Sequence, residues 1–494
     1  MELIKFRRQY LITSKEIAEL DDWQKETFNG MNVYAEQSLQ VHKRNVDDRE
    51  FLLLGYWINP HFPEKNNSEI MDDMVAGCDT FESVLPFLYP LSGRFALFCK
   101  FREKIYGIND ASGFKSIFYS YTNYGINISS NIKLMSVVEP LKEKDTLKKY
   151  CDSSYYFSSP TYAWPVGYCF FENVYQLVPN HYLDIIERKI VRFFPNQQLQ
   201  KLTNKTDIEL TIKETVSLLK NSINALCGRE SVSLSITSGV DSRTLLALSR
   251  DNVDNIYFWI SYNSRKESDY YLPQLILSDL GLKFHPIKNV RASRCFTKFY
   301  DEALILPHSI WRRYLGSMLN KYPDNMIVIR GASAETVENY YYQSQPHPDV
   351  VSIENLKHQN FGYIAEVPEL RRQMESYLAE VNNVCRKYDY NVLDFVFWEQ
   401  REGQWQAASQ LESDFLFDVF VPFSNREILN MLLTIPNELR NKKNCHVYKR
   451  IIESNWPELL KYPFNPPSKY SRFELKMQYY KAAAKFKLKQ IFRK

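Results

Sequence analysis

The period of the chain changes near its middle. Up to residue 195, short β-branched or aromatic runs alternate with turn residues, as in RFALFCK (94–100), IYGI (105–108) and SIFYSY (116–121). Runs of this length bounded by Gly, Asn, Asp and Ser predict strands. YLDII (182–186) and KIVRFF (189–194) predict a closing hairpin. The stretch 195–206, PNQQLQKLTNKT, is polar and reads as a linker. From 207 the apolar positions Leu210, Ile212, Val216, Leu218, Leu219, Ile223 and Leu226 recur at helical spacing. Strand and helix candidates then alternate. VSLSI (232–236) precedes a helix starting near Asp241, IYFWI (256–260) precedes one from about Ser268 to Leu280, and MIVI (326–329) ends in Arg330-Gly331. Such alternation predicts parallel βαβ units. After 390 the pattern is mostly helical. The expectation is an α/β chain of two domains, 1–195 and 207–494.

Composition narrows the function classes. The chain has 494 residues, 45% of them apolar and 24% charged, ordinary values for a globular protein. Its 34 tyrosines suit sugar-stacking surfaces or plain aromatic cores. Lys plus Arg exceeds Asp plus Glu by 62 − 58 = 4, which argues against a dedicated nucleic-acid binder. The eight cysteines form no CxxC pair and the eight histidines show no zinc-type spacing, so reduced thiols, no structural zinc and a cytoplasmic location are expected. MELIKFRRQYLIT has no apolar signal core, and no 18-residue apolar run spans a membrane. The basic segment 476–494 predicts a tail helix. It is either solvated or laid on an anionic membrane through Phe486, Leu488, Ile491 and Phe492. The adjacent Arg312 and Arg313 are either carboxylate or phosphate ligands or surface charges.

The densest chemistry lies at TSGVDSR (237–243). Gly239 permits a tight turn and close approach of a ligand. The N–H groups of Val240 and its neighbours open a helix, where the dipole favours an anion. Thr237, Ser238 and Ser242 offer hydroxyl donors. Asp241 fits beside phosphate only with a cation between them, and Mg²⁺ supplies that link. The same residues serve equally as the cap of an ordinary helix. No GxxxxGK[ST] loop is present.

This segment resembles the SGGxDS pyrophosphate loop of the asparagine synthetase-like ATP pyrophosphatases, with Thr237 and Ser238 in place of Ser and Gly. Further pieces follow in the family's order. Asp269 stands where an acid meets the nucleotide, and it is equally a helix-start residue. RGASAETVENY (330–340) supplies Gly331, Glu335 and Tyr340, with Ala334 where the family carries a metal-binding Asp. DVFVPFSNR (418–426) places Asp418 and Pro422-Phe423, with Phe420 for the usual Arg. Upstream, WEQREGQW (398–405) is similar to a helix of polysaccharide-cluster members. Lys449 stands where the family has its Lys/Arg helix near the phosphates, while Lys461 is displaced from the place of the family's catalytic lysine.

Residues 89–135 and 177–183 resemble a class II glutamine amidotransferase domain, a β-sandwich with helices, through Gly93, Phe95, Asp110, Gly113 and Ser129-Ser130. That domain uses an N-terminal Cys, whereas this sequence opens Met1-Glu2-Leu3 and its first cysteine is Cys78. The resemblance implies ATP and Mg²⁺ as cofactors and an AMP-forming amide ligase without its own glutaminase. Asp241 would bind the metal, Glu335 or Asp418 would orient the acceptor, and Thr237 to Ser242, Asp269, Gly331 and Lys449 would hold the nucleotide. The substrate would be a small-molecule or glycan carboxylate. The alternative is a degenerate nucleotide-binding or partner protein without catalysis.

Overall fold

Two antiparallel six-stranded sheets build the N-terminal part. Their strands are β1 (Tyr10–Thr13), β2 (Gln24–Phe28), β3 (Met31–Ala35), β4 (Val41–Val46), β5 (Arg49–Ile58), β6 (Ser92–Phe101), β7 (Lys104–Asn109), β8 (Phe118–Thr122), β9 (Gly125–Ser129), β10 (Val174–Gln176), β11 (His181–Asp184) and β12 (Lys189–Arg192). One sheet runs β10-β8-β9-β1-β3-β2, the other β12-β11-β7-β6-β5-β4. The computed structural model describes residues 3–122, 125–152, 164–341, 348–356, 364, 367–441 and 445–466, with Met477 and Tyr480. The tail expected to be helical over 476–494 otherwise lies outside the described residues.

Alternation along each strand sorts the two faces. Leu52 and Leu54 of β5 join Ala96, Phe98, Tyr10 and Ile12 in the core between the sheets. The intervening Phe51 and Leu53 belong to a second core with Ile70, Met74 and Phe81. These last three come from helices Asn67–Gly77 and Phe81–Phe87, which interrupt the strand-rich pattern, each opened by a capping box at Asn66 and Thr80. The expected closing hairpin is β11–β12, with Tyr182 opposite Val191.

Helix Lys205–Arg229 opens the C-terminal part and buries Ile208, Ile212, Leu219, Ile223 and Leu226. Leu210 is 52% exposed. It lies two residues from both Ile208 and Ile212, which turns it to the far side of the helix. A five-stranded parallel sheet follows, from β13 (Val232–Ser235), β14 (Ile256–Tyr262), β15 (His285–Lys288), β16 (Ile327–Ile329) and β17 (Asp418–Phe420), in the order β15-β14-β13-β16-β17. The chain winds outward from β13 through β14 to β15, then crosses back to place β16 on the other side of β13. The winding reverses between β13 and β16, and in open parallel sheets such a reversal leaves a crevice at the carboxyl ends of the strands. The fold is therefore α/β, with two antiparallel sheets and one parallel sheet. β17 emerges from a region whose pattern reads as helical, because three residues are too few to show an alternation.

The helices after residue 367 join the two parts. Val392–Phe395 runs through a wide π-type stretch, Val396–Gln406, into Ala407–Ser413. From this stretch the Trp398 indole donates to the Ala111 carbonyl at 2.8 Å and the Gln400 amide to that of Trp164 at 2.7 Å. Gly403 is a glycine by necessity: a Cβ there would stand 2.5 Å from Cδ of Pro179. One apolar core runs without a break from Trp57 and Phe95 to Leu416 and Phe420. Among the described residues no helix is long and apolar enough to cross a membrane.

Candidate functional site

The loop after β13 is folded upon itself. The Thr237 and Ser242 hydroxyls lie 2.9 Å apart, and the Ser242 hydroxyl also accepts from the Thr237 N–H at 3.0 Å. The Gly239 N–H donates to the Thr237 hydroxyl at 3.1 Å. Asp269, in the first turn of helix Ser268–Asp279, reaches across to the loop. Its carboxylate accepts from the Ser238 N–H at 2.8 Å and the Ser238 hydroxyl at 2.6 Å. Gly239 then leads into helix Val240–Leu248, with no side chain capping the helix start. Val240 is buried, and Leu245, Leu246 and Leu248 anchor the helix in the core. The sequence folds this way because a short apolar strand stops at small polar residues and the next helix begins on a Gly-Val-Asp.

The segment after β16 meets this loop at the switch point. A Cβ on Gly331 would lie 2.9 Å from the Cβ of Asp241, so only glycine allows this approach without displacing the carboxylate. Ser333 takes a left-handed conformation, with φ of 62°. Its N–H and hydroxyl both donate, at 3.1 Å, to the carboxylate of Glu402 on the π-type stretch. Glu402 is buried. Burial, and after it the neighbouring Glu335 carboxylate, push its pKa up to about 8. The Tyr448 hydroxyl donates to the Ala334 carbonyl at 2.6 Å. Burial raises that phenol's pKa, and the charges of Glu338, Asp241 and Glu335 raise it further. The sequence carried no signal for Glu402, whose importance comes from a contact between distant segments.

Other candidates lie elsewhere. Asp418, expected to orient an acceptor, is corrected by its register. It stands opposite Ile327, itself opposite Val232, at the amino ends of the strands and about 10 Å of strand away from the crevice. There it pairs with buried Arg94 at 2.9 Å, beside the fork of Arg94 on Asp414. Burial raises Asp418, but Arg94, Lys115 and Arg8 outweigh it and hold the carboxyl below its ordinary value. Lys449 is exposed on the first turn of helix His446–Asn455, next to Tyr448, and Lys461 lies over the ring of Tyr462. Arg312 is held by Asp301 and Arg313 by Asn263, both at the surface. Cys78 is buried at the end of helix Asn67–Gly77, and burial raises its thiol pKa.

The donor set at the crevice suits a magnesium-bound phosphate. No group of three or more His, Cys, Asp or Glu residues able to hold a metal is gathered among the described residues. Mg²⁺ needs no such cage, since it is commonly bound by one or two carboxylates together with substrate phosphates. Asp241, at the start of an uncapped helix, offers such a carboxylate.

No family model matches the chain, and no curated protein matches it significantly. Among solved structures, the glutamine phosphoribosylpyrophosphate amidotransferase from B. subtilis, complexed with ADP and GMP, matches over 67% of this chain and 71% of its own, at 9% identity and a TM-score of 0.25. The allosteric regulatory enzyme of purine biosynthesis matches over 67% of this chain and 70% of its own, at 10% identity and a TM-score of 0.25. Likenesses of that extent assign neither an activity nor a ligand to this chain.

Proposed function

We propose that this chain is an asparagine synthetase-like, AMP-forming amide ligase that uses ammonia or an amine in place of a glutaminase of its own. One observation carries the reading. The helix start at Gly239-Val240-Asp241 opens at the reversal point of a parallel sheet, with Gly331 in direct contact with Asp241. The N–H groups of Val240, Asp241 and Ser242 form the anion site, and the Thr237, Ser238 and Ser242 hydroxyls line it. Asp241 is the residue that would hold Mg²⁺ against phosphate oxygens. ATP bound there supplies activation of a carboxylate with release of pyrophosphate. Glu335, beside Glu402, orients the incoming amine and accepts its proton. Cys78, buried with a raised thiol pKa, supports a nitrogen source outside the chain. The carboxylate belongs to a small molecule or a glycan. The Asp241→Ala variant is expected to lose ATP-dependent pyrophosphate release in a coupled assay across candidate acids. Release at the parent's rate would remove Asp241, and with it the reading.

A second reading, nucleotide binding without catalysis, rests on two observations. Asp269 already takes two donors of the loop at Ser238, and Ala334 offers no carboxylate for a second metal contact. Calorimetric binding of ATP with Mg²⁺, unaccompanied by pyrophosphate release with any acid, would favour it.

A further inference from the structure

A chain of hydroxyls runs from the sandwich to an acid beside β16. It starts at the turn after β7, which is organised by the fully buried carboxylate of Asp110. That carboxylate accepts the N–H groups of Phe95 at 3.3 Å, Ser112 at 3.2 Å, Phe114 at 2.9 Å and Lys115 at 2.8 Å. The turn is held again at Ala111, whose carbonyl accepts from the Trp398 indole. Ser112 is thereby fixed, fully buried, with its hydroxyl 2.9 Å from that of Ser333. A hydroxyl has one proton to give. Ser333 gives its own to Oε2 of Glu402, so Ser112 is the donor to Ser333. The same Oε2 also accepts the Ser333 N–H, and Oε1 accepts from no described residue. Burial, and then the Glu335 carboxylate, push the Glu402 pKa up to about 8, against the Arg401 charge and the two Ser333 bonds. The charge of Glu402 is also felt by the buried Tyr341 phenol.

We propose that Ser112 of the sandwich is a positioning residue for the chemistry at the parallel sheet: through Ser333 it commits Oε2 of Glu402, so that Oε1 carries a proton and donates it as a hydrogen bond to Glu335. The inference rests on the reading of Glu335 as the base that takes the amine's proton. Two carboxylates sharing a buried place do not both ionise. Glu402, kept neutral, leaves the charge on Glu335, which then stays able to accept a proton near neutral pH. The Ser333 donors favour the ionised form of Glu402 and so work against its proton. Ser112 strengthens the Ser333 donor by polarising its hydroxyl. The sandwich thus sets the pH at which Glu402 releases its proton.

The test follows the infrared carbonyl band of the protonated carboxyl in the full chain as pH rises, with Glu402→Gln identifying the band. Ser333→Gly removes the hydroxyl and suits the left-handed φ of 62°. It is expected to move the midpoint up by about one pH unit, the tenfold worth of a hydrogen bond to a charged oxygen. Ser112→Ala is expected to move it the same way by a smaller step, about twofold in proton affinity. In pyrophosphate release, the alkaline limb of the pH profile is expected to rise with the midpoint in each variant. A substitution that merely loosens the fold lowers the melting temperature and moves neither. If Ser333→Gly does not fold, Ser112→Ala decides alone. A midpoint that Ser112→Ala leaves in place overturns the inference, and so does an alkaline limb that stays while the midpoint moves. A parent that releases no pyrophosphate with any acid overturns the ligase reading, and the infrared midpoint then still judges the hold of Ser112 on Glu402.

Discussion

Replacing Glu402 by Gln separates a buried acid from a buried amide of the same shape. In the folded chain the carboxyl keeps its proton up to about pH 8, whereas an ordinary glutamate releases it near 4.5. Between those values the folded state binds one proton more than the unfolded state, so stability falls as pH rises through that window. The stability that the protonated carboxyl supplies at the acid end of the window is gone once the pH passes the folded-state value. Glutamine keeps an oxygen for the Ser333 N–H and hydroxyl and carries no titration. Urea unfolding of parent and variant from about pH 5 to about pH 9 should therefore diverge, with the variant gaining on the parent at the alkaline end. Infrared difference spectra give an independent sign: a protonated carboxylic carbonyl present at neutral pH, lost at alkaline pH and absent from the variant. Parallel stability curves for the two proteins would refute the account of a protonated Glu402 beside Glu335.

Two further outcomes are expected. Arg94→Met strands Asp414 and Asp418 without their buried partner and should cost about 3–5 kcal/mol in urea unfolding, with Arg94→Met/Asp414→Leu costing less than the two single changes summed. Gly331→Ala drives a methyl into Asp241 and should cost about 1–3 kcal/mol while abolishing pyrophosphate release; release at the parent's rate would show that the contact does not set the carboxylate.

What the sequence disclosed was local. A strand, a Gly turn and a helix start lie within a dozen residues, so the loop at 237–242 and the hairpin at 182–194 can be read from the chain alone. Asp269 was visible as an acid at a helix start, but its hold on Ser238 depends on two strands lying side by side. Asp418 misled because a motif gives residue type without register: three positions along a strand separate the crevice end from the seam with Arg94. Glu402 was hidden for a related reason. Its segment, 398–405, reads as one more helix, and only the widened π-type turn and the left-handed Ser333 bring its carboxyl to the Ser333 N–H. Leu210 shows the limit of periodicity itself, since apolar residues two apart cannot share one helix face.

The contact of Gly403 with Pro179 has an evolutionary consequence. A seam with no room for a methyl group makes the sandwich a fixed inner wall of the other half, so the two cannot drift independently. Selection on the parallel sheet is then also selection on the shape of the sandwich. A part held in this way is inherited for its form, as a mould is kept for the shape it gives.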